Sequence, residues 1–226
     1  MKLKSIAEIL EHAHGALAAE RDDHGWNSDH EIFDQLVVNV APSTIIEVGS
    51  WKGRSAAHLA AASASRTEMD TDSGAMVPAK TKIYCVDTWL GGVDHILSEK
   101  PVDDLKRDAA GYPGLYHQFL RNFADGPWAE HAKRIHPIAA PSLIGAKVLA
   151  AHGVSAELIY VDGSHEYEDV YADLCAYSHL LKPGGVMFGD DFRGFPGVFA
   201  AVLRFAHETG RKLDEVDHNF WVLRTP

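Results

Sequence analysis

Cysteine is scarce. Only two, Cys85 and Cys175, occur in 226 residues. That excludes a disulfide framework and predicts a reducing, cytoplasmic setting. Positive charge is short too: 21 Lys and Arg face 32 Asp and Glu, a formal net charge of −11. Nucleic acid and anionic membrane surfaces repel such a chain, so neither is expected as a partner. Long hydrophobic runs are missing; none approaches the roughly 20 apolar residues that span a bilayer. Met1 to Glu11 interleaves charge with Ile6, Ile9 and Leu10. It reads as a short amphipathic helix, not a signal peptide. Repeats and low-complexity linkers are absent as well. What remains is a globular composition, 46% hydrophobic and 23% charged, able to bury a core without staples. Residues 1–226 are expected to form a single domain, with 1–40 a helical segment on a core of 41–226.

Short β-branched runs alternate with helical patterns. Strands are expected at Thr44 to Gly49, Lys82 to Asp87, Arg134 to Ala139, Leu158 to Asp162 and Gly185 to Gly189. Helices are expected at Ser55 to Ser63, Leu115 to Ala124, Ser142 to Ala151 (capped by Ser142), Tyr167 to Leu181 and Val198 to Thr209. Lys182-Pro183-Gly184-Gly185 is read as the stop after the fourth of these helices. Ser65 to Lys80 is a polar surface excursion. Thr88 to Gly111, with Gly91-Gly92 and Pro101, is a long irregular loop of the kind that covers a site. Lys212 to Val216 and Phe220 to Arg224, joined by Asp217-His218-Asn219, form an antiparallel hairpin. Strands separated by helices imply βαβ units. The fold class is α/β: a Rossmann-like, seven-stranded, mostly parallel sheet with helices on both faces and a C-terminal antiparallel hairpin.

Four segments carry chemistry. Glu47-Val48-Gly49-Ser50-Trp51-Lys52-Gly53 joins the first strand to its helix, where open α/β sheets bind ligands. It is not G-x-G-x-x-G: Trp51 stands where a dinucleotide turn has its second glycine. An acidic Glu47 repels a pyrophosphate and suits a ligand bearing an ammonium and a sulfonium. The competing reading is an ordinary strand-to-helix turn. Asp87 ends the second strand, placed for ribose hydroxyls or for capping a helix. Asp162 ends the fourth strand, with His165 three residues on. Asp190-Asp191 end the fifth. Three carboxylates at one edge repel unless a hard divalent cation such as Mg²⁺ neutralises them; capping plus exposure is the competing reading for the Asp pair. His165 is one of 14 histidines, set apart by following a carboxylate at a strand end. A general base and a loop-ordering hydrogen bond are both open for it.

These motifs resemble class I S-adenosylmethionine-dependent methyltransferases from about Thr44 to Arg224. The residues that carry the likeness begin with Ile46 to Ser55 and Val86-Asp87-Thr88-Trp89. Val161-Asp162-Gly163-Ser164-His165-Glu166-Tyr167, Leu181-Lys182-Pro183-Gly184-Gly185 and Gly189-Asp190-Asp191 complete them. Asp-Gly-Ser-His-Glu-Tyr is similar to a segment of the metal-dependent small-molecule O-methyltransferase branch (methyltransferase family 24, with cephalosporin-hydroxylase-like and macrolide-sugar tailoring enzymes). The turn departs from the commonest pattern at Trp51. The resemblance implies S-adenosylmethionine held by Glu47, Gly49, Ser50, Gly53, Asp87, Thr88, Trp89, Ala140, Ser142 and Asp162. It also implies a divalent cation, Mg²⁺, on Asp162, Asp190 and Asp191, with His165 as base. The acceptor is then a small-molecule hydroxyl on a sugar, phenol or natural product. Trp89, His95, Tyr112 and the segment around Trp26 are expected to cover it or simply to pack. The N-terminal helix offers a surface for a homo-oligomer. Two rival readings are an NAD-dependent oxidoreductase and a non-catalytic binding protein that kept the fold.

Overall fold

The computed structural model describes residues 2–12, 20–69, 74–97, 105, 107 and 110–225. The expectations at Met1 and Pro101 lie outside the described residues. In chain order the elements begin with α1 (Ile6–Leu10), α2 (Ile32–Val40), β1 (Thr44–Val48) and α3 (Arg54–Ala64). Then come β2 (Thr67–Met69), β3 (Met76–Pro78), β4 (Lys82–Asp87), α4 (Val93–Leu97) and α5 (Leu115–Ala124). A 3-10 turn at Gly126–His131 leads to β5 (Ile135–Ala139), α6 (Ser142–Ala151), β6 (Ala156–Val161) and α7 (Tyr167–Ser178). The chain closes with β7 (Leu181–Gly189), α8 (Pro196–Thr209), β8 (Lys212–Val216) and β9 (Phe220–Arg224).

The main sheet has seven strands in the order β5-β4-β1-β6-β7-β9-β8. Five are parallel; β9 runs antiparallel to β7 and pairs with β8 in the expected hairpin. The period of two decides which face each side chain joins. On β1, β4, β6 and β9, Ile45, Ile83, Leu158 and Phe220 face one core. Their neighbours Ile46, Tyr84, Ile159 and Trp221 face the other. Helices α1, α2, α3 and α5 cover the first face, and α6, α7 and α8 the second. Both faces are therefore dry, the condition under which parallel strands read as continuous apolar runs. Helix α2 is part of this layer: its Phe33 ring meets Tyr160, Phe188 and Phe220.

Four expectations need correction. Helix α7 stops at Ser178, and Leu181 already belongs to β7. Leu181 pairs with Ala156 but Val186 with Leu158, so Lys182-Pro183-Gly184-Gly185 bulges out of the strand. Pro183 has no N–H to give a ladder, which fits a bulge better than a paired position. Ser142 does not cap α6; Pro141 holds that position and makes no side-chain cap. Ser142 is one residue inside, and its carbonyl accepts the Tyr177 hydroxyl at 2.8 Å. The excursion from Ser65 to Lys80 contains a small antiparallel pair, β2 with β3. The loop after β4 carries the short helix α4.

Candidate active site at the carboxyl edge of the sheet

The chain leaves β1 toward β4 and β5, then returns to the other side of β1 to make β6. The strand order reverses between β1 and β6, and a crevice opens there at the carboxyl ends. The turn after β1 is held tightly against the end of β6. Asp162 N–H donates to the Val48 carbonyl at 2.8 Å. A Cβ on Gly49 would lie 1.9 Å from the Asp162 carbonyl oxygen, and its φ is +85°. Gly53 (φ +89°) lies against the rings of Phe119 and Phe123. Both glycines are thus demanded by neighbouring protein atoms and by left-handed backbone. Glu47 points under the turn, not into the crevice. It is wholly buried and accepts the Ser55 hydroxyl at 2.6 Å. Burial raises its carboxyl pKa, against the opposing pull of the Ser50 and Ser55 hydroxyls.

Asp87 organises the turn from the neighbouring strand. Its oxygens accept the backbone N–H groups of Ser50 at 2.9 Å, Trp51 at 2.8 Å and Trp89 at 2.7 Å. Burial raises its carboxyl pKa, and these N–H groups oppose the rise. Thr88 N–H adds a fourth backbone donor to the carboxylate, about as many as its oxygens can accept. Ala140 N–H donates to the Asp87 carbonyl at 3.0 Å. The Thr88 hydroxyl accepts Leu90 N–H. Trp89 is buried among Tyr116 and Phe119, and its indole N–H donates to the Trp51 carbonyl at 2.8 Å. It steadies the turn from below.

Asp162, Asp190 and Asp191 line one small cavity at the carboxyl ends of β6 and β7, and each carboxylate has a protein partner. Asp162 accepts the Tyr160 hydroxyl at 2.9 Å. Burial raises its pKa well above the carboxylate range, and Asp190 and Asp191 add to the rise. Asp190 accepts Asn27 Nδ2 at 3.1 Å, Asp191 N–H at 2.7 Å and Asn219 Nδ2. Burial pushes its pKa up to about 6. Asp191 stands in left-handed backbone, φ 64°, the kind of strain that gathers at functional sites. Its carboxylate lies 2.9 Å from His165 Nε2, while Asp94 lies 2.5 Å from Nδ1. The imidazole also stacks on Phe195, centroids 3.7 Å apart. Burial pulls the His165 pKa down, but the two carboxylates outweigh it and hold it at about 9.

Several contributors carry no local signal in the sequence. Asn27 and Asn219 reach Asp190 from segments 163 and 29 residues away. Asp94 lies on α4, 71 residues from His165. Asp173 on α7 lines a small cavity with Asp162, Asp190 and Asp191. Residues 22–30 form a strap over the β1 turn. Lys52 Nζ holds Asp22 at 2.6 Å, Arg54 holds Asp29 at 3.3 Å and His30 holds Asp217 at 2.9 Å. Trp26 lies against Trp51, whose ring stacks on His95 at 4.6 Å. A crevice with about 30 Å³ of free volume runs between strap and turn, lined by Gly25, Trp26, Gly49, Ser50, Trp51 and Asp162 among others.

Among the described residues no group of three or more His, Cys, Asp or Glu is arranged to hold a metal ion. The donor set at the edge is nonetheless all hard carboxylate oxygen on adjacent strand ends, which suits Mg²⁺. Its buried negative charge is what a cation would relieve. No helix among the described residues is long and apolar enough to cross a membrane.

A seven-stranded sheet with this order and an acidic carboxyl edge defines a methyltransferase-type α/β protein. The family model described as "Methyltransferase domain" matches residues 46–192, and the chain belongs to that family. Solved structures share the fold. The O-methyltransferase from Bacillus cereus, in complex with SAH, is 14% identical; the match covers 98% of this chain and 90% of that one, TM-score 0.57. CalS11, a calicheamicin methyltransferase, is 20% identical over 86% and 76% of the two chains, TM-score 0.59. The O-methyltransferase NovP is 14% identical over 88% and 79%, TM-score 0.59. No curated protein matches the chain.

Proposed function

We propose that the protein transfers a methyl group from S-adenosylmethionine to a hydroxyl of a small molecule, with a divalent cation at the acidic edge. One observation carries this reading. The β1 turn, Asp87 and the acidic ends of β6 and β7 meet at the switch in strand order of a methyltransferase-family fold. The cofactor would lie over Gly49, Ser50 and Gly53, with its ribose toward Asp87. Thr88, Ala140 and Ser142 border the adenine end. Glu47 and Trp89 act from beneath by fixing the turn. Asp162, Asp190 and Asp191 would hold Mg²⁺, which would supply charge neutralisation and lower the acceptor hydroxyl pKa.

His165 would take the hydroxyl proton at Nε2 only as the neutral imidazole, reached when Asp191 turns from the ring to the cation and the ring gives its own proton to solvent. The arrangement with both Asp94 and Asp191 on the ring is the resting one, in which the imidazole is protonated at neutral pH. The acceptor oxygen attacks the methyl carbon in line, forming a C–O bond as the C–S bond breaks. S-Adenosylhomocysteine leaves. Most of the acceleration then comes from positioning. Sugar, phenolic and natural-product hydroxyls all satisfy this chemistry.

Calorimetric titration tests the reading. S-Adenosylhomocysteine binds and NAD⁺ does not, and Asp87→Ala weakens the former by about tenfold or more, the loss of a hydrogen bond to a charged acceptor. Binding of NAD⁺ alone would refute it.

A further inference from the structure

Asn27 ties the strap to the acidic edge. It follows Gly25 and Trp26, which line the crevice, and its Nδ2 donates to Asp190 Oδ2 at 3.1 Å. The crevice, with about 30 Å³ of free volume, lies far below the roughly 300–1,000 Å³ of ligand pockets. A nucleoside-sized cofactor therefore displaces the strap or the turn as it enters. The turn is pinned by Asp87 and by the close contact of Gly49 with Asp162. The strap is anchored at Asp22 by buried Lys52 and by Asn122, but its Asp29 and His30 end is held by the partly exposed pairs Arg54–Asp29 and His30–Asp217, which contribute little each. That end of the strap is the part that gives.

At the other end, Asp190 already accepts three donors. A donor on Oδ2 competes with a cation for the same lone pairs. We propose that the strap is a coupling device: Asn27 keeps Asp190 from a cation until cofactor entry beneath Trp26 draws the strap away. This rests on the function proposed above. By linkage the effect is reciprocal: whatever factor the cofactor adds to cation affinity, the cation adds to cofactor affinity. Asn219 reaches Asp190 from the β8–β9 turn and is untouched by the strap, so it carries no such coupling.

The test titrates Mg²⁺ calorimetrically, with and without saturating S-adenosylhomocysteine. It uses wild type, Asn27→Gly and Asn219→Ala, each checked for folding by circular dichroism. Glycine suits position 27 because its backbone is left-handed, φ 48°. In wild type, S-adenosylhomocysteine tightens Mg²⁺ binding by about tenfold, the scale of one hydrogen bond to a charged group. Asn27→Gly binds Mg²⁺ that tightly without S-adenosylhomocysteine, and the coupling factor falls toward one. Asn219→Ala keeps the wild-type coupling. Weaker Mg²⁺ binding in Asn27→Gly, or coupling unchanged in it, overturns the proposal. Loss of coupling in Asn219→Ala overturns it too. Wild type that binds S-adenosylhomocysteine but never Mg²⁺ refutes the metal reading itself, and wild type that binds neither refutes the proposed function.

Discussion

Asp173 shows what a single buried carboxylate costs. It is 3% exposed, and its Oδ1 has no hydrogen-bond partner. Burial, helped by Asp169 and opposed by the Ser142 hydroxyl, pushes its pKa up to about 6. An unfolded Asp titrates near 3.9. Between these values the folded state binds more protons, so stability falls as pH rises from about 4 to about 6 and stays lowered above. Asp173→Asn removes the cost, raising stability at pH 7.5 by roughly 2–3 kcal/mol while changing little at pH 3.5. Urea midpoints at the two pH values measure this; an equal gain at both contradicts it. Gly49 gives the opposite case. Alanine there meets both the Asp162 carbonyl and a left-handed backbone. Gly49→Ala costs about 2 kcal/mol or more in urea denaturation and loosens the turn that the cofactor needs.

Elements differ in how their sequence signals survive packing. The β8–β9 hairpin is legible to the residue, because Asp217 and Asn219 announce a turn between two alternating strands. That turn places Asp217 and His218 in left-handed backbone, where glycine is at ease. His218→Gly therefore stabilises the hairpin by about 0.5–1 kcal/mol, since the ion pair it removes is 91% exposed at the histidine. A thermal melt rising by about 1–4 °C would bear this out, and a fall would not. The β7 entry was read as a helix stop because Lys-Pro-Gly-Gly contains helix breakers. Only the register against β6 shows that a strand runs on either side of the bulge. Helix α4 has five residues in a Gly-flanked loop, too short for periodicity to announce.

At the scale of the whole molecule, strand order turns scattered acidic residues into one edge. Asp87, Asp162 and Asp190-Asp191 are legible because each ends an apolar run, and parallel strands deliver their ends to one side. Asn27, Asp94, Asp173 and Asn219 are not, since only tertiary folding brings their segments there. Trp89 and Glu47 mark the other limit of sequence reading. Their positions suggest ligand contact, yet the pleat of β1 turns Glu47 under the turn and a left-handed bend after β4 buries Trp89 in the first core, where they hold the turn. The net charge of −11 is likewise unevenly spent: a few carboxylates meet in the interior while most lie in solvent.

The central claim is that this edge holds a sulfonium nucleoside and a divalent cation side by side. A crystal structure with S-adenosylhomocysteine and Mg²⁺ tests it most directly. The account predicts the ribose on Asp87, the thioether over the Gly49–Gly53 turn, and Mg²⁺ on Asp162, Asp190 and Asp191 with Asn27 drawn off Asp190. S-Adenosylhomocysteine seated away from that turn, or Mg²⁺ bound without these carboxylates, would contradict it.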